Sequence, residues 1–272
     1  MTNLLHPLDL ATNLELNNEG LWSGHTQPAY GNMVGPFGGV TSAVMLNAVL
    51  KHQNRLGDPV SLTVNFAGPI EDGPFTIQAQ ALRTNRSTQH WFMTLFQHDG
   101  QIATTASAVF AIRRETWHST ELNFPVRQPA LDLARADTSK APEWTRRYDM
   151  RTIKGLMIDG QQPSQEPDAI TEFWIQDDPP RPLDFFITHS HLRLICAPYF
   201  RAQNGQISSW YHFSHHAFPC GHRIAQFTGT NHVLGIARAS KFGLGYHDQS
   251  AEIWSDQQQL LATSHQVVYY KA

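Results

Sequence analysis

The chain has 272 residues, 41% of them hydrophobic, with 20 Lys and Arg against 23 Asp and Glu for a net charge of −3. That is enough apolar material for one large or two small folded units, it excludes a disordered chain, and the scattered cations argue against a nucleic-acid partner. Two cysteines, Cys196 and Cys220, are too few for a disulfide framework; with no basic start, no signal-like core and no apolar run near the roughly 18 residues of a membrane span, a cytoplasmic protein is expected.

Residues 14–22 read as a polar strand, followed by the glycine-rich turn "GPFGG". A helix is predicted over 39–53, with Val40, Val44 and Ala48 on its apolar face and Met45 and Val49 beside them. Gly57 and Pro59 in "NRLGDP" are its expected stop. Four strands follow, "VSLTVNFAGPI", "FTIQAQALRTN", "STQHWFMTLFQHDG" and "QIATTASAVFAIRR", with "HDGQ" as an Asp-Gly hairpin turn.

Residues 126–144 are polar, contain two prolines and carry little periodicity. They read as a connection between two units, which sets boundaries of 1–125, 126–142 and 143–272. The second unit opens with strand candidates "RRYDMRTIKG" and "ITEFWIQ". A helix is predicted in "RPLDFFITHSHLRLIC" from Leu183, Phe186, Ile187, Ser190 and Leu194. Strands "GQISSWYHF", "HVLGIARAS", "DQSAEIWSDQQQ" and "LLATSHQVVYYK" follow, with 256–259 as a turn.

The order strand, helix, four antiparallel strands thus occurs twice, and the local sequence repeats with it. "QIATTASAVF" lies against "LLATSHQVVY", placing Ala103 and Thr104 on Ala262 and Thr263, and "VSLTVNF" lies against "ISSWYHF". The expected fold is α+β: two tandem units, each with a curved antiparallel sheet on one long helix, able to share a continuous sheet.

The pieces "GPFGG", "PVSLTVNFAGPI", "FWIQDDPPRPLD", "ARASKFGLGYHDQSAEIWS" and "LLATSHQVVYYK" occur in this order along nearly the whole chain. In this the chain resembles the acyl-CoA thioesterase II-like family of double hotdog proteins. The resemblance implies hydrolysis of an acyl-CoA thioester by water, with no cofactor and no covalent intermediate, at the seam between the halves. It leaves room for a homo-oligomer of such double units.

A thioester carbonyl needs fixed N–H donors for its developing oxyanion, and a helix start supplies them. Gly38 and Gly39 are the candidates for substrate binding. The family positions the water with an Asp, a Thr or Ser, and a Gln. Gln266 matches the Gln; on its alternating strand it shares a face with Ser264 and Val268, a face that is either solvated or lines the site. Ser208 is the hydroxyl candidate and Ser209, facing the other way, its rival. At the Asp position "RLICAPYFR" carries Cys196, with Asp184 about three turns earlier, so the expected carboxylate is missing. Val40 is a second departure, where many relatives carry Gln.

Other chemistries are weaker. "HFSHHAFPCGH" holds His212, His215, His216, Cys220 and His222, but the spacings match no standard zinc site and no metal is expected. Dehydration of a hydroxyacyl thioester would use His189 or His191 with an acid that is not evident. "GPFGG" follows no buried parallel strand and lacks the Lys-Ser/Thr of a phosphate loop. His232 and His265 are general-base options without a spacing argument, and Arg83, Arg86, Arg113, Arg114 and Lys241 are cations that could meet CoA phosphates. The loss of the acid leaves a non-catalytic acyl-CoA or acyl-chain binding protein as the alternative.

Overall fold

The computed structural model describes residues 5–98, 100–155, 169–181, 212–217 and 232–269, with only the backbone for 212–217. The second predicted helix, Asp184, Cys196, Ser208 and Ser209 lie outside the described residues.

The chain begins with a short helix α1 (Pro7–Ala11) and a small hairpin, β1 (Glu15–Leu16) and β2 (Trp22–His25). The single strand expected over 14–22 is therefore two, because Gly20 turns the chain at φ 78°. The glycine turn leads into helix α2 (Gly38–Leu50), which ends before Gly57 rather than at it. Gly57 instead turns the chain into the next strand at φ 68°. Every residue from Gly39 to Val49 is buried, so the predicted apolar stripe is one side of a helix enclosed on all sides.

The four strands that follow are β3 (Asp58–Phe66), β4 (Pro74–Thr84), β5 (Thr88–Gln97) and β6 (Gln101–Ala111). Their inner faces, among them Leu62, Val64, Ile77, Trp91, Met93, Leu95 and Ala106, form one core with Val44, Met45, Leu46, Ala48 and Val49 of α2. Gln97 and Gln101 close the turn between β5 and β6, in which His98 has φ 41° and Gly100 φ 94°; Asp99 lies outside the described residues.

The second half supplies β7 (Tyr148–Lys154), β8 (Ile170–Asp177), β9 (His212–Ala217), β10 (Val233–Arg238), β11 (Phe242–Gly243), β12 (Tyr246–Ser255) and β13 (Leu260–Tyr269). The hydrogen-bonded order is β1-β2-β4-β5-β6-β3-β9-β13-β12-β10-β8-β7, with β11 beside β12. Two antiparallel sheets, one per half, thus join into one through β3 and β9, as a double hotdog requires. From the β3–β9 seam outward the halves run in the same order, β3, β6, β5, β4, β2 against β9, β13, β12, β10, β8.

Two β-bulges fix the internal symmetry. One interrupts the β5–β6 ladder at Ala103, the other the β12–β13 ladder at Leu261. Matching the bulges makes Ala108 the counterpart of Gln266 and Trp91 that of Gln249. It also makes Thr63 and His215, which sit opposite each other in the β3–β9 ladder, counterparts of one another. A local two-fold axis therefore passes between them. The repeat read from sequence is off by one residue in the last strand, and its pairing of "VSLTVNF" with "ISSWYHF" is off by several, because similarity of side chains does not register a bulge.

The connecting stretch, residues 126–142, is a packed strap. Ala130 is buried with Trp174, Leu234, Ile236 and Trp254 on the outer face of the second sheet, where Phe124 and Leu133 join them. Arg127 grips Glu172 with two hydrogen bonds of 2.6 and 2.7 Å, and the Trp174 indole donates to the Gln128 carbonyl at 2.9 Å. Arg151 donates to the carbonyls of Ala130 and Leu133.

Candidate functional site

The turn before α2 is built for a close backbone approach. Gly35 has φ 64°, and a Cβ there would lie 2.0 Å from the Ile70 carbonyl oxygen. Gly38 opens α2 over the ring of Phe66, 3.3 Å from where its Cβ would be. No side chain caps this helix start. The N–H groups of Val40 and Thr41 reach the Phe37 carbonyl, at 3.0 and 3.2 Å, and those of Gly38 and Gly39 have no acceptor among the described residues. A residue of the second half holds the turn in place. Trp144 stacks on Phe37 with ring centroids 4.2 Å apart, donates its indole N–H to Asn32 Oδ1 at 3.2 Å and its backbone N–H to the Gly31 carbonyl.

Gln266 lies on the inner face of β13 with Ala262, Ser264 and Val268. It is fully buried, and neither amide atom has a hydrogen-bond partner among the described residues. The solvated-face reading of this glutamine is thereby excluded. A primary amide taken from water without partners is costly, so its retention needs a reason. The backbone register runs Val64, Ser214, Gln266, Gln249 across four adjacent strands. Val64 is two residues from Phe66 on the same face of β3, so the α2 start and Gln266 share the concave side of the seam. One strand, β9, separates theirs, and β3 and β13 are about 10 Å apart at the usual strand spacing.

Beside Gln266 lie two residues that the sequence reading passed over. Gln249 is its direct partner across the β12–β13 ladder, and His247 is the partner of Val268. Both are buried, 3% and 1% exposed. Their alternation with Ala251 and Ile253 was the available signal, obscured because Ile253 and Trp254 are both buried and blur the period of two. Burial depresses the His247 pKa; the Gln249 amide and the Asp248 carboxylate pull the other way without cancelling it. His247 also stacks on Phe242, centroids 5.0 Å apart.

The other histidine options lie elsewhere. His265 points to the exposed outer face. His232 is buried on the outer side, under the strap, with Nε2 3.4 Å from Asp149 Oδ2. Burial would raise the Asp149 carboxyl, but hydrogen bonds and charge from Arg151, followed by His232, hold it below the usual carboxylate value. Burial lowers the His232 pKa in spite of Asp149. Since His232 and His247 both have folded pKa values below 6.5, the unfolded chain binds more protons than the folded one as the pH falls through that value. Their contribution to stability is complete above about pH 6.5 and is lost as the pH falls through the folded values. Urea midpoints measured from pH 8 to pH 5 should therefore decline below 6.5, and His232→Gln should flatten the decline.

Among the cations, Arg83, Arg86, Arg113 and Arg114 sit at the Asp58 end of the first sheet, the end away from Phe66 and the helix start. Arg83 bonds Asn85 Oδ1 at 2.9 Å and Arg113 the Pro59 carbonyl. Lys241 lies next to β11 in the second half, where its backbone N–H donates to Asp248 Oδ1 at 2.7 Å and its carbonyl accepts the Asp248 N–H. Among the described residues no group of three or more His, Cys, Asp or Glu side chains could hold a metal ion, and no helix is long and apolar enough to cross a membrane.

The acyl-CoA thioesterase N-terminal domain matches residues 27–111 and the acyl-CoA thioesterase C-terminal domain matches residues 125–270. Among solved structures, a conserved protein of unknown function with a hot dog fold from Alicyclobacillus acidocaldarius is 41% identical, with a TM-score of 0.88 and 99% of each chain covered. The acyl-CoA thioesterase II TesB2 from Mycobacterium marinum superposes with a TM-score of 0.73 at 17% identity, over 97% of this chain and 98% of the other. The tesB protein of Mycobacterium avium subsp. paratuberculosis does so with a TM-score of 0.71 at 18% identity, over the same shares. No curated protein matches the chain.

Proposed function

Because the chain belongs to the acyl-CoA thioesterase family, we propose that it hydrolyses an acyl-CoA thioester to CoA and a free acid by direct attack of water. The observation that carries this reading is the fully buried Gln266 amide with neither atom partnered among the described residues, on the same concave face as the open start of α2. An amide so placed can hold a water through its carbonyl oxygen and a substrate oxygen through its N–H₂. The N–H groups of Gly38 and Gly39, at the positive end of the helix dipole, are the donors for the developing oxyanion. Ser208 is the hydroxyl that would complete the hold on the water.

One observation favours a second reading, a non-catalytic acyl-CoA or acyl-chain binding protein: Cys196 stands where the resemblance calls for Asp. The test is a panel of short- to long-chain acyl-CoAs incubated with the purified chain, following free thiol release and, in parallel, binding by calorimetry. Saturable turnover with at least one chain length is the expected result. Saturable binding without thiol release would establish the second reading instead.

A further inference from the structure

We propose that His247, steadied by Gln249, is the proton acceptor for the attacking water, doing the work for which a carboxylate is otherwise expected. This rests on the hydrolase reading above.

The inner row of the second sheet departs from its counterpart in the first. Where the first half has Leu62, Ala108 and Trp91 across three strands, the second has Ser214, Gln266 and Gln249. In a fold held together by apolar inner faces, the paired buried amides of Gln266 and Gln249, set against Ala108 and Trp91 in the first half, mark the second half as the one that handles a polar ligand.

The next inward position on the strand makes the case more specific. His247 is the counterpart of Gln89. The Gln89 side chain accepts the Leu56 N–H at 2.8 Å and donates to the Asn54 carbonyl at 3.0 Å, so it serves the segment that follows α2. It also donates to Thr84 Oγ1 and accepts from the Trp91 indole. In the first half this position therefore looks onto the end of the helix, the same end at which the resemblance asks for an acid. The second half has an imidazole in place of a structural amide. It is flanked by Gln249, the direct cross-strand partner of Gln266. Diagonal neighbours across such a ladder are about 7–8 Å apart, within which a glutamine and a histidine reach one water. Fully buried between Gln249 and Phe242, with a pKa that burial holds down in spite of Asp248, the imidazole is neutral near pH 7 and can take up a proton.

The step balances without any further reactant. The water oxygen bonds to the thioester carbon as the carbonyl π pair moves onto oxygen, facing the Gly38 and Gly39 N–H groups. The water proton passes to the His247 ring. The C–S bond then breaks, and the imidazolium returns its proton to the departing sulfur. Thioester and water become acid and thiol, and His247 is neutral again.

The experiment compares the unmodified full chain with His247→Ala and His247→Gln in the thiol-release assay, using the best acyl-CoA of the panel and adding imidazole to the alanine variant. The expected result is a kcat lower by about 100-fold or more in both variants with KM changed far less, and imidazole restoring turnover of His247→Ala by roughly tenfold. Acyl-CoA binding by His247→Gln verifies that the fold survives. Turnover within about threefold of the unmodified chain, or a loss in folded protein that imidazole never relieves, overturns the assignment of His247 and leaves the hydrolase reading standing. Absence of turnover by the unmodified chain overturns both.

Discussion

Gln266→Leu is expected to make the protein more stable and to cut its turnover. In the folded chain the Gln266 amide is fully buried and neither of its polar atoms has a partner among the described residues. An unmade hydrogen bond at a buried group costs about 1–3 kcal/mol, and a leucine of nearly the same volume removes that cost without opening a cavity. For a chain of this size each kcal/mol raises Tm by about 2–4 °C. If the amide holds the attacking water, the same change removes an interaction made in the transition state. Turnover should fall by at least about tenfold with KM nearly unchanged. Calorimetric Tm and thiol-release kinetics on one preparation read both effects. Opposite movement of the two is the signature of a residue kept for function at the expense of stability. A lower Tm would mean that the amide is satisfied within the protein and holds a structural place.

The legible part of this molecule is the part carried by periodicity and turn chemistry. Alternation in "VSLTVNF" and "LLATSHQVVY", the Asp-Gly turn after Gln97 and the glycine entry to α2 each specify a local conformation, and the family membership of both halves follows from their joint order. What could not be read is register. Aligning Thr104 with Thr263 makes Ser107 the counterpart of Gln266, and Ser107 is exposed. The bulges at Ala103 and Leu261 shift the match by one residue, to the buried Ala108. A shift of one residue exchanges the two faces of a strand, which is the whole difference between a solvated glutamine and a buried one. His247 and Gln249 escaped for a related reason. Polar residues in a strand are assigned to the water side by default, and only a packed neighbourhood shows otherwise. The strap escaped because a polar, proline-containing stretch has no period, while its hold on the second sheet comes from paired charges and carbonyls, as with Arg127 on Glu172.

Trp144→Ala is expected to cost about 3–5 kcal/mol of stability, the usual range for deleting a buried large aromatic, and to damage the site as well. Trp144 is 7% exposed and belongs to the second half of the chain, yet its ring lies flat on Phe37 of the first. Phe37 is the residue whose carbonyl receives the Val40 and Thr41 N–H groups, so it sets where α2 begins and where the Gly38 and Gly39 amides point. Its backbone is free of any side-chain cap, and the stack with Trp144 stands in for one. Removing the indole leaves a cavity against Tyr148, with which it makes an edge contact at 6.2 Å, and frees the turn at Gly31 and Asn32. Urea unfolding should show the full loss for Trp144→Ala and less than half of it for Trp144→Phe, which keeps a ring on Phe37 but not the indole N–H. If the Gly38 and Gly39 amides are the proposed oxyanion donors, Trp144→Ala in protein kept folded at low temperature should lower kcat more than it raises KM, because those donors lose their aim while the rest of the cleft stays formed. A stability change below about 1 kcal/mol would mean that the turn before α2 holds its shape without the second half. The expected result instead makes the helix start a joint product of both halves. It follows that the first half would not hold its helix start alone: the amides proposed as oxyanion donors belong to one half, and the indole that clamps the turn before them belongs to the other.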